Sequence, residues 1–248
     1  MGTNDDAFEA DNRARIARMG QDGALADQSR AWFDAVTRHG YSYHFRWLGL
    51  PIIQFPQDVV ALQEIIWRTQ PDLIIETGVA RGGSLVFYAS MLRLLGRGHV
   101  VGVDIDIRPE NRAAIESHMF GKDITLVQGS SVDPAIVARV ADIARDYSKV
   151  MVVLDSMHTH DHVLAELEAY APLVSKDAYL CVLDTVVEFM ADDHFPDRPW
   201  SRGNNPYTAV HAFLGGNRDF QIDTPIATKL LVTVAPDGYL KRVAASEP

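Results

Sequence analysis

Short β-branched runs recur at Leu73–Thr77, His99–Asp104, Ile124–Gln128, Val150–Asp155 and Ala178–Asp184, and helical patterns separate them. The helical stretches are Ser84–Leu95, Glu110–Met119, Pro134–Asp146 and His158–Leu173. This alternation leaves few folds open. Strands joined through helices of this length call for right-handed crossovers and a parallel sheet. The strand runs are nearly continuously apolar, as expected when helices cover both faces. The expected class is α/β, a Rossmann-like fold with a mostly parallel twisted sheet.

The flanks follow other patterns. The first thirty or so residues are polar and partly helical, and an aromatic-rich stretch, YSYHFRWLGLPIIQFP, follows. Gln57 to Gln70 reads as a helix, with Val59, Leu62, Ile65 and Ile66 at helical spacing and Pro71 as the stop. The expected organisation is an N-terminal helical and aromatic arm and lid over residues 1–56 and a main domain over 57–248. Val186 to Asn205 is polar and proline-rich, too long for an ordinary connection and so a candidate functional loop. Asn205–Pro206 then resembles an N-cap with proline at the first helical position, opening a helix through Leu214. The end, ATKLLVTVAPDGYLKRV, reads as an antiparallel strand pair turned by Pro236–Asp237–Gly238.

Composition narrows the partners. A formal net charge of −10 argues against nucleic acid, whose binding depends on Lys and Arg neutralising phosphates. The polar, acidic start lacks the apolar segment of a secretory signal. No apolar stretch approaches the roughly 18 residues that span a bilayer. The single cysteine, Cys181, lies in AYLCVL and reads as a buried small hydrophobe. The expectation is a cytoplasmic protein with no membrane partner.

The segment ETGVARGGS, Glu76 to Ser84, follows the first strand of the alternation and opens a helix. Gly78, Gly82 and Gly83 let the backbone turn sharply and approach a ligand in the crevice beyond the strand ends. A dinucleotide site would want G-x-G-x-x-G, whereas these glycines run G-x-x-x-G-G behind Glu76 and Thr77. A carboxylate there suits the ammonium-bearing head of a sulfonium cofactor better than a diphosphate. Asp104, closing VVGVDI, is placed to accept hydrogen bonds from ribose hydroxyls, whichever nucleoside is bound. In QGSSVD, Gly129, Ser130, Ser131 and Asp133 either meet the adenine edge or cap the helix at Pro134.

Two more strands end in aspartates, LDSMH with Asp155 and VLDT with Asp184. Carboxylates converging on one crevice are costly unless paired, solvated or bound to a cation, and Mg²⁺ would satisfy them; helix capping or pairing with Arg or Lys is the plainer alternative. His158, three residues after Asp155 at the start of the next helix, is placed as a general base. His160 and His162 read as surface or capping residues, because positions two apart on a helix do not share a face.

Together ETGVARGGS, LDSMH with HVLAELEAYAPLVS, and NNPYTAVHAFL resemble the cephalosporin hydroxylase-like (CmcI-type) family, from roughly Phe45 to the C-terminus. That group looks like S-adenosylmethionine-dependent O-methyltransferases and includes rhamnosyl O-methyltransferases. It is similar to Mg²⁺-dependent deoxysugar methyltransferases of antibiotic pathways, whose class I fold ends in an antiparallel strand pair. The resemblance implies Glu76, Gly78, Ser84 and Asp104 at the cofactor, with Thr77, Gly82, Ser130, Ser131 and Asp155 near it. It implies Asp155 and Asp184 as metal ligands and His158 with Asp155 as the catalytic pair. One departure stands out: the family's fifth strand often ends in Glu-Asp, but here Leu183 precedes Asp184, leaving Glu188 or water as the replacement ligand. The implied acceptor is a hydroxyl on a small molecule, a sugar or deoxysugar by resemblance, handled by a homo-oligomer. Two other readings stay open. One is an oxidoreductase, either an NAD-type dehydrogenase or the hydroxylase of the family's name. The other is a non-catalytic partner protein, which the lost carboxylate keeps in view.

Overall fold

Alternation in the strands sorts their side chains into two apolar layers. The computed structural model describes residues 3–191 and 193–243. Among these, two helices come first, α1 (Thr3–Met19) and α2 (Gly23–Thr37), then a small hairpin of β1 (Arg46–Trp47) and β2 (Leu50–Pro51). Next come α3 (Pro56–Thr69), β3 (Leu73–Thr77), α4 (Gly83–Leu94), β4 (His99–Asp104), α5 (Pro109–Glu116) and β5 (Ile124–Gln128). They are followed by α6 (Pro134–Ala144), β6 (Val150–Leu154), α7 (His160–Tyr170) and β7 (Tyr179–Val182). The last elements are α8 (Pro206–Gly216), β8 (Phe220–Ile222), α9 (Thr224–Leu230) and β9 (Tyr239–Arg242).

The main sheet has seven strands in the order β5-β4-β3-β6-β7-β9-β8. Strands β3 to β7 are parallel, and β9 runs antiparallel between β7 and β8. On β6, Met151 and Val153 join one core with Leu62, Ile66 and Leu85 of α3 and α4. Val150, Val152 and Leu154 join the other with Val140, Leu167 and Val210 of α6, α7 and α8. Period two along a strand produces this division, and Cys181 is buried in the first layer. Asp58 of α3, fully buried, ties that layer to the chain end by accepting from Val234 N at 3.0 Å and Tyr239 Oη at 2.7 Å. No helix among the described residues is long and apolar enough to cross a membrane.

Two expectations need correction. The antiparallel pair exists, but ATKLL is not one of its strands. Those residues lie in α9 and just beyond, where Pro225 occupies the first turn and Leu231 breaks the helix at φ 62°. The partner of β9 is the three-residue β8, whose Gln221 registers with Lys241. His158 also lies before α7 rather than in it, since Thr159 is the N-cap. The Asn205 expectation holds, with its side chain accepting from Tyr207 N and Thr208 N.

The N-terminal segment shares the first core. Phe33 of α2 stacks on Phe55 with ring centroids 4.8 Å apart. Trp47 donates from Nε1 to Ser90 Oγ of α4 at 3.0 Å. The β1–β2 hairpin lies along α4, with Pro51 against Gly83 at the helix start, beside the crevice where β3 parts β4 from β6.

Candidate functional site

Sheet order reverses at β3, so the loops after β3 and β6 diverge onto opposite faces and leave a crevice at their strand ends, the usual ligand position in open α/β sheets. Gly78 makes that crevice possible. Its φ is 93°, and a Cβ there would lie 1.9 Å from the carbonyl oxygen of Asp155. Gly82 caps α4 at φ 80° with no side-chain cap, so the first amides of the helix stay free to meet an anionic group.

Asp104 closes β4 and braces this loop. Its Oδ2 accepts from Val79 N at 2.8 Å and Ala80 N at 3.2 Å, and its Oδ1 accepts from Asp106 N at 3.0 Å. Two hollows meet at Gly78, Ala80, Asp155 and Ser156. One, of about 230 Å³, is lined by Asp104, Ile105, Ser131 and His162. The other, of about 410 Å³, runs past Gly82 and Ser84 to His158, Asp184 and Trp200.

Glu76 lies beneath this floor rather than in either hollow. It is fully buried, takes a hydrogen bond from Ser84 Oγ at 2.6 Å through Oε2, and leaves Oε1 without a partner. Burial pushes its carboxyl up to about 8, partly offset by its neighbours Ser84 and Tyr88. Thr77 is equally buried, and its carbonyl accepts from Asp155 N at 2.9 Å, so it joins strands rather than facing the crevice. Ser131 lines the smaller hollow, while Ser130 lines neither. Asp133 caps α6 by accepting from Ala135 N at 2.8 Å, which settles it as a capping residue.

A carboxyl held protonated by burial makes stability depend on pH. With a folded value of about 8 above the ordinary 4.5, the contribution is complete below about pH 4.5 and is lost as pH rises through about 8. Glu76→Gln should therefore melt above the unliganded wild type beyond about pH 8 and close to it below about pH 5. Thermal denaturation across that range tests this, and parallel curves for the two proteins would refute it.

Asp155, His158 and Asp184 converge. Each offers a ligand atom, and these atoms lie within 4.8 Å of one another. His158 Nε2 is 3.1 Å from Asp184 Oδ2. Asp184 reaches this place from a left-handed backbone, φ 55°, two residues after the end of β7. Burial raises the Asp155 carboxyl well above the usual range, and Asp184, Glu76 and Glu166 raise it further. Two carboxylates and an imidazole, with one carboxyl disfavoured as an anion, form a donor set that fits a divalent cation.

The lost family carboxylate is not replaced by Glu188. That side chain accepts from Gly203 N at 2.9 Å and Asn205 Nδ2 at 2.6 Å, tying down the following loop. Leu183 itself is buried in the first core layer. His158 is the third group beside the two aspartates.

Sequence reasoning missed several participants. Gln54, 4% exposed, donates from Nε2 to Asp155 Oδ2 at 3.0 Å. Its only signal was one polar residue inside the apolar run PIIQFP. Trp200 sets its ring edge-on to His158, with centroids 4.8 Å apart and planes at 81°. His162 is not a plain surface residue, because Nε2 lies 3.1 Å from Ser131 Oγ and 3.5 Å from buried Glu166. His160 likewise links α7 to α8 and the loop before it, its backbone N–H donating to Asn204 Oδ1 and its Nδ1 meeting Thr208 Oγ1.

The model of the family described as "Rhamnosyl O-methyltransferase/CmcI" matches residues 39–243, most of the chain, including Glu76, Asp104, Asp155, His158 and Asp184. The chain belongs to the rhamnosyl O-methyltransferase/CmcI family. By that membership it is an O-methyltransferase. A rhamnosyl O-methyltransferase of Mycobacterium tuberculosis is 31% identical over 219 residues, covering 84% of this chain and 86% of that protein. The protein of the same name in Mycobacterium leprae is 30% identical over 201 residues, covering 79% and 82%. A solved CmcI structure with Mg and SAM superposes with a TM-score of 0.59 at 21% identity, covering 82% of this chain and 78% of that one, and so supports the fold.

Proposed function

We propose that this family member uses S-adenosylmethionine to methylate a hydroxyl of a small sugar-bearing molecule, with Asp155 and Asp184 holding a divalent cation and His158 acting as base. The observation that carries this is the meeting of Asp155, His158 and Asp184 within 4.8 Å at the end of the hollow that begins at the glycine loop. The sugar acceptor is suggested by what the mycobacterial relatives are named for. When bound, S-adenosylmethionine supplies an electrophilic methyl, and the cation supplies positive charge beside the acceptor oxygen.

The chain's own residues do the rest. The loop from Gly78 to Ser84 and the free amides of α4 bind the amino-acid end of the cofactor, with Ser84 and Glu76 behind it. Asp104 and Ser131 line the side that receives the nucleoside. His158 Nε2 lies 3.1 Å from Asp184 Oδ2, which keeps the imidazole beside the aspartates to take the hydroxyl proton. Gln54 holds Asp155 in place. Tyr43, Phe195 and Trp200 form walls that keep water from the acceptor, the lid role assigned to the arm and the long loop. Holding two reactants in line removes several kcal/mol of barrier.

Calorimetry tests the reading. S-adenosylhomocysteine should bind with a micromolar dissociation constant, about −8 kcal/mol. Mn²⁺ titrated into the same protein should bind, and Asp155→Asn should lose most of that affinity while retaining the nucleoside. Absence of heat with the nucleoside would end the proposal, and unaltered Mn²⁺ binding in the variant would end the metal assignment.

A further inference from the structure

The larger hollow is lined by two guanidiniums, Arg81 and Arg198, and among the described residues neither has a carboxylate within salt-bridge distance. Their neighbours differ. Arg38 is paired with Asp193 at 3.1 Å, and Arg202 donates to Met190 O at 3.2 Å. Arg81 belongs to the glycine loop, next to the free amides of α4, where the carboxylate of the cofactor's amino-acid end is placed. Arg198 lies elsewhere. Its guanidinium rests over the Trp200 ring, 5.2 Å from the centroid, and Trp200 meets His158 edge-on. Imidazole and guanidinium are thus both neighbours of one indole, and the three form a linked set.

This set is held in place by its loop. The loop carrying it is tied to α2 through Arg38 and Asp193, and Asn204 Nδ2 donates back to Pro199 O at 2.9 Å. Trp200 Nε1–H is buried with no acceptor among the described residues. A guanidinium stacked on an indole, with no carboxylate partner among the described residues, is a site for an anionic group of a bound molecule. The charge balance agrees. Two guanidiniums without carboxylate partners among the described residues line this hollow in a chain of net charge −10.

We propose that the methyl acceptor is anionic, carrying a carboxylate or phosphate, and that Arg198 on Trp200 is the residue that selects it. This rests on the methyltransferase reading and deepens it by naming the acceptor's chemical class. Guanidinium offers a planar pair of donors to either anion, whereas a neutral sugar leaves it unpaired.

The test uses the full chain saturated with S-adenosylhomocysteine and three probes, p-nitrophenyl β-D-glucuronide, the matching neutral glucoside and that glucoside's 6-phosphate. Calorimetry should show at least one anionic probe binding about tenfold or more tighter than the neutral one, a difference of about 1.4 kcal/mol. Its preference should weaken with added salt. The order of the two anions tells carboxylate from phosphate. In Arg198→Gln the preference should vanish while affinity for S-adenosylhomocysteine is kept, and Arg198→Lys should restore part of it. Equal binding of all three probes, no heat from any of them, or an undiminished preference in Arg198→Gln overturns the proposal. Failure of the methyltransferase reading would show separately, as no heat with S-adenosylhomocysteine alone.

Discussion

His158→Ala should lower turnover by about 10²–10⁴-fold, the usual worth of a positioned general base, while S-adenosylhomocysteine still binds nearly as well as to the wild type. The geometry supports such a split. His158 touches Asp184 and Trp200 at the far end of the larger hollow, and no contact joins it to Asp104 or Ser131 on the nucleoside side. Added imidazole should recover part of the rate, because truncation leaves a space beside Trp200 for a free ring. Methyl-transfer assays and calorimetry on the same preparation check both parts. A variant with full activity removes His158 from the mechanism. Lost activity together with lost Mn²⁺ binding would instead make it a metal ligand, filling the place vacated where Leu183 stands.

Gly78→Ala should be at least as damaging, for a different reason. The added methyl would lie 1.9 Å from Asp155 O, a backbone atom that cannot turn aside, at a φ of 93° that L-residues seldom adopt. Strain and overpacking each cost about 1–3 kcal/mol, so melting should fall by roughly 2–4 °C per kcal/mol lost. Activity should fall further than stability, since the loops that must part carry the glycine turn on one side and Asp155 on the other. A misplacement of about 1 Å at such a site costs on the order of 10²-fold in rate. Gly215→Ala is the control, with no atom within 4 Å of the added methyl and no left-handed backbone. If Gly78→Ala matches that control in melting temperature and rate, the close approach of the two loops is not what shapes the crevice.

Much of this site was legible because its signals are local. Period two in LIIET and VMVVL separates the core layers, and parallel strands bring their carboxyl ends to one edge wherever they fall in the chain. Glu76, Asp104, Asp155 and Asp184 could therefore be assigned to that edge without coordinates. What misled is equally physical. ATKLL is apolar enough for a strand, but Thr224–Pro225 starts a helical turn and the sheet had room there for only the three residues of β8. Glu188 was within chemical reach in sequence, yet its carboxylate is committed to Gly203 and Asn205.

The sequence by itself determined the layered α/β fold and the acidic, glycine-bearing strand ends, because side-chain period and crossover handedness are properties of a local chain. Only the tertiary structure decided which groups face one another. Gln54 reaches Asp155 across 101 positions. Trp200 stands against His158, and Arg198 stands on Trp200, through a loop whose course is set by distant ties to α2 and α8. Such contacts leave no periodic trace, since they depend on packing between segments far apart in the chain.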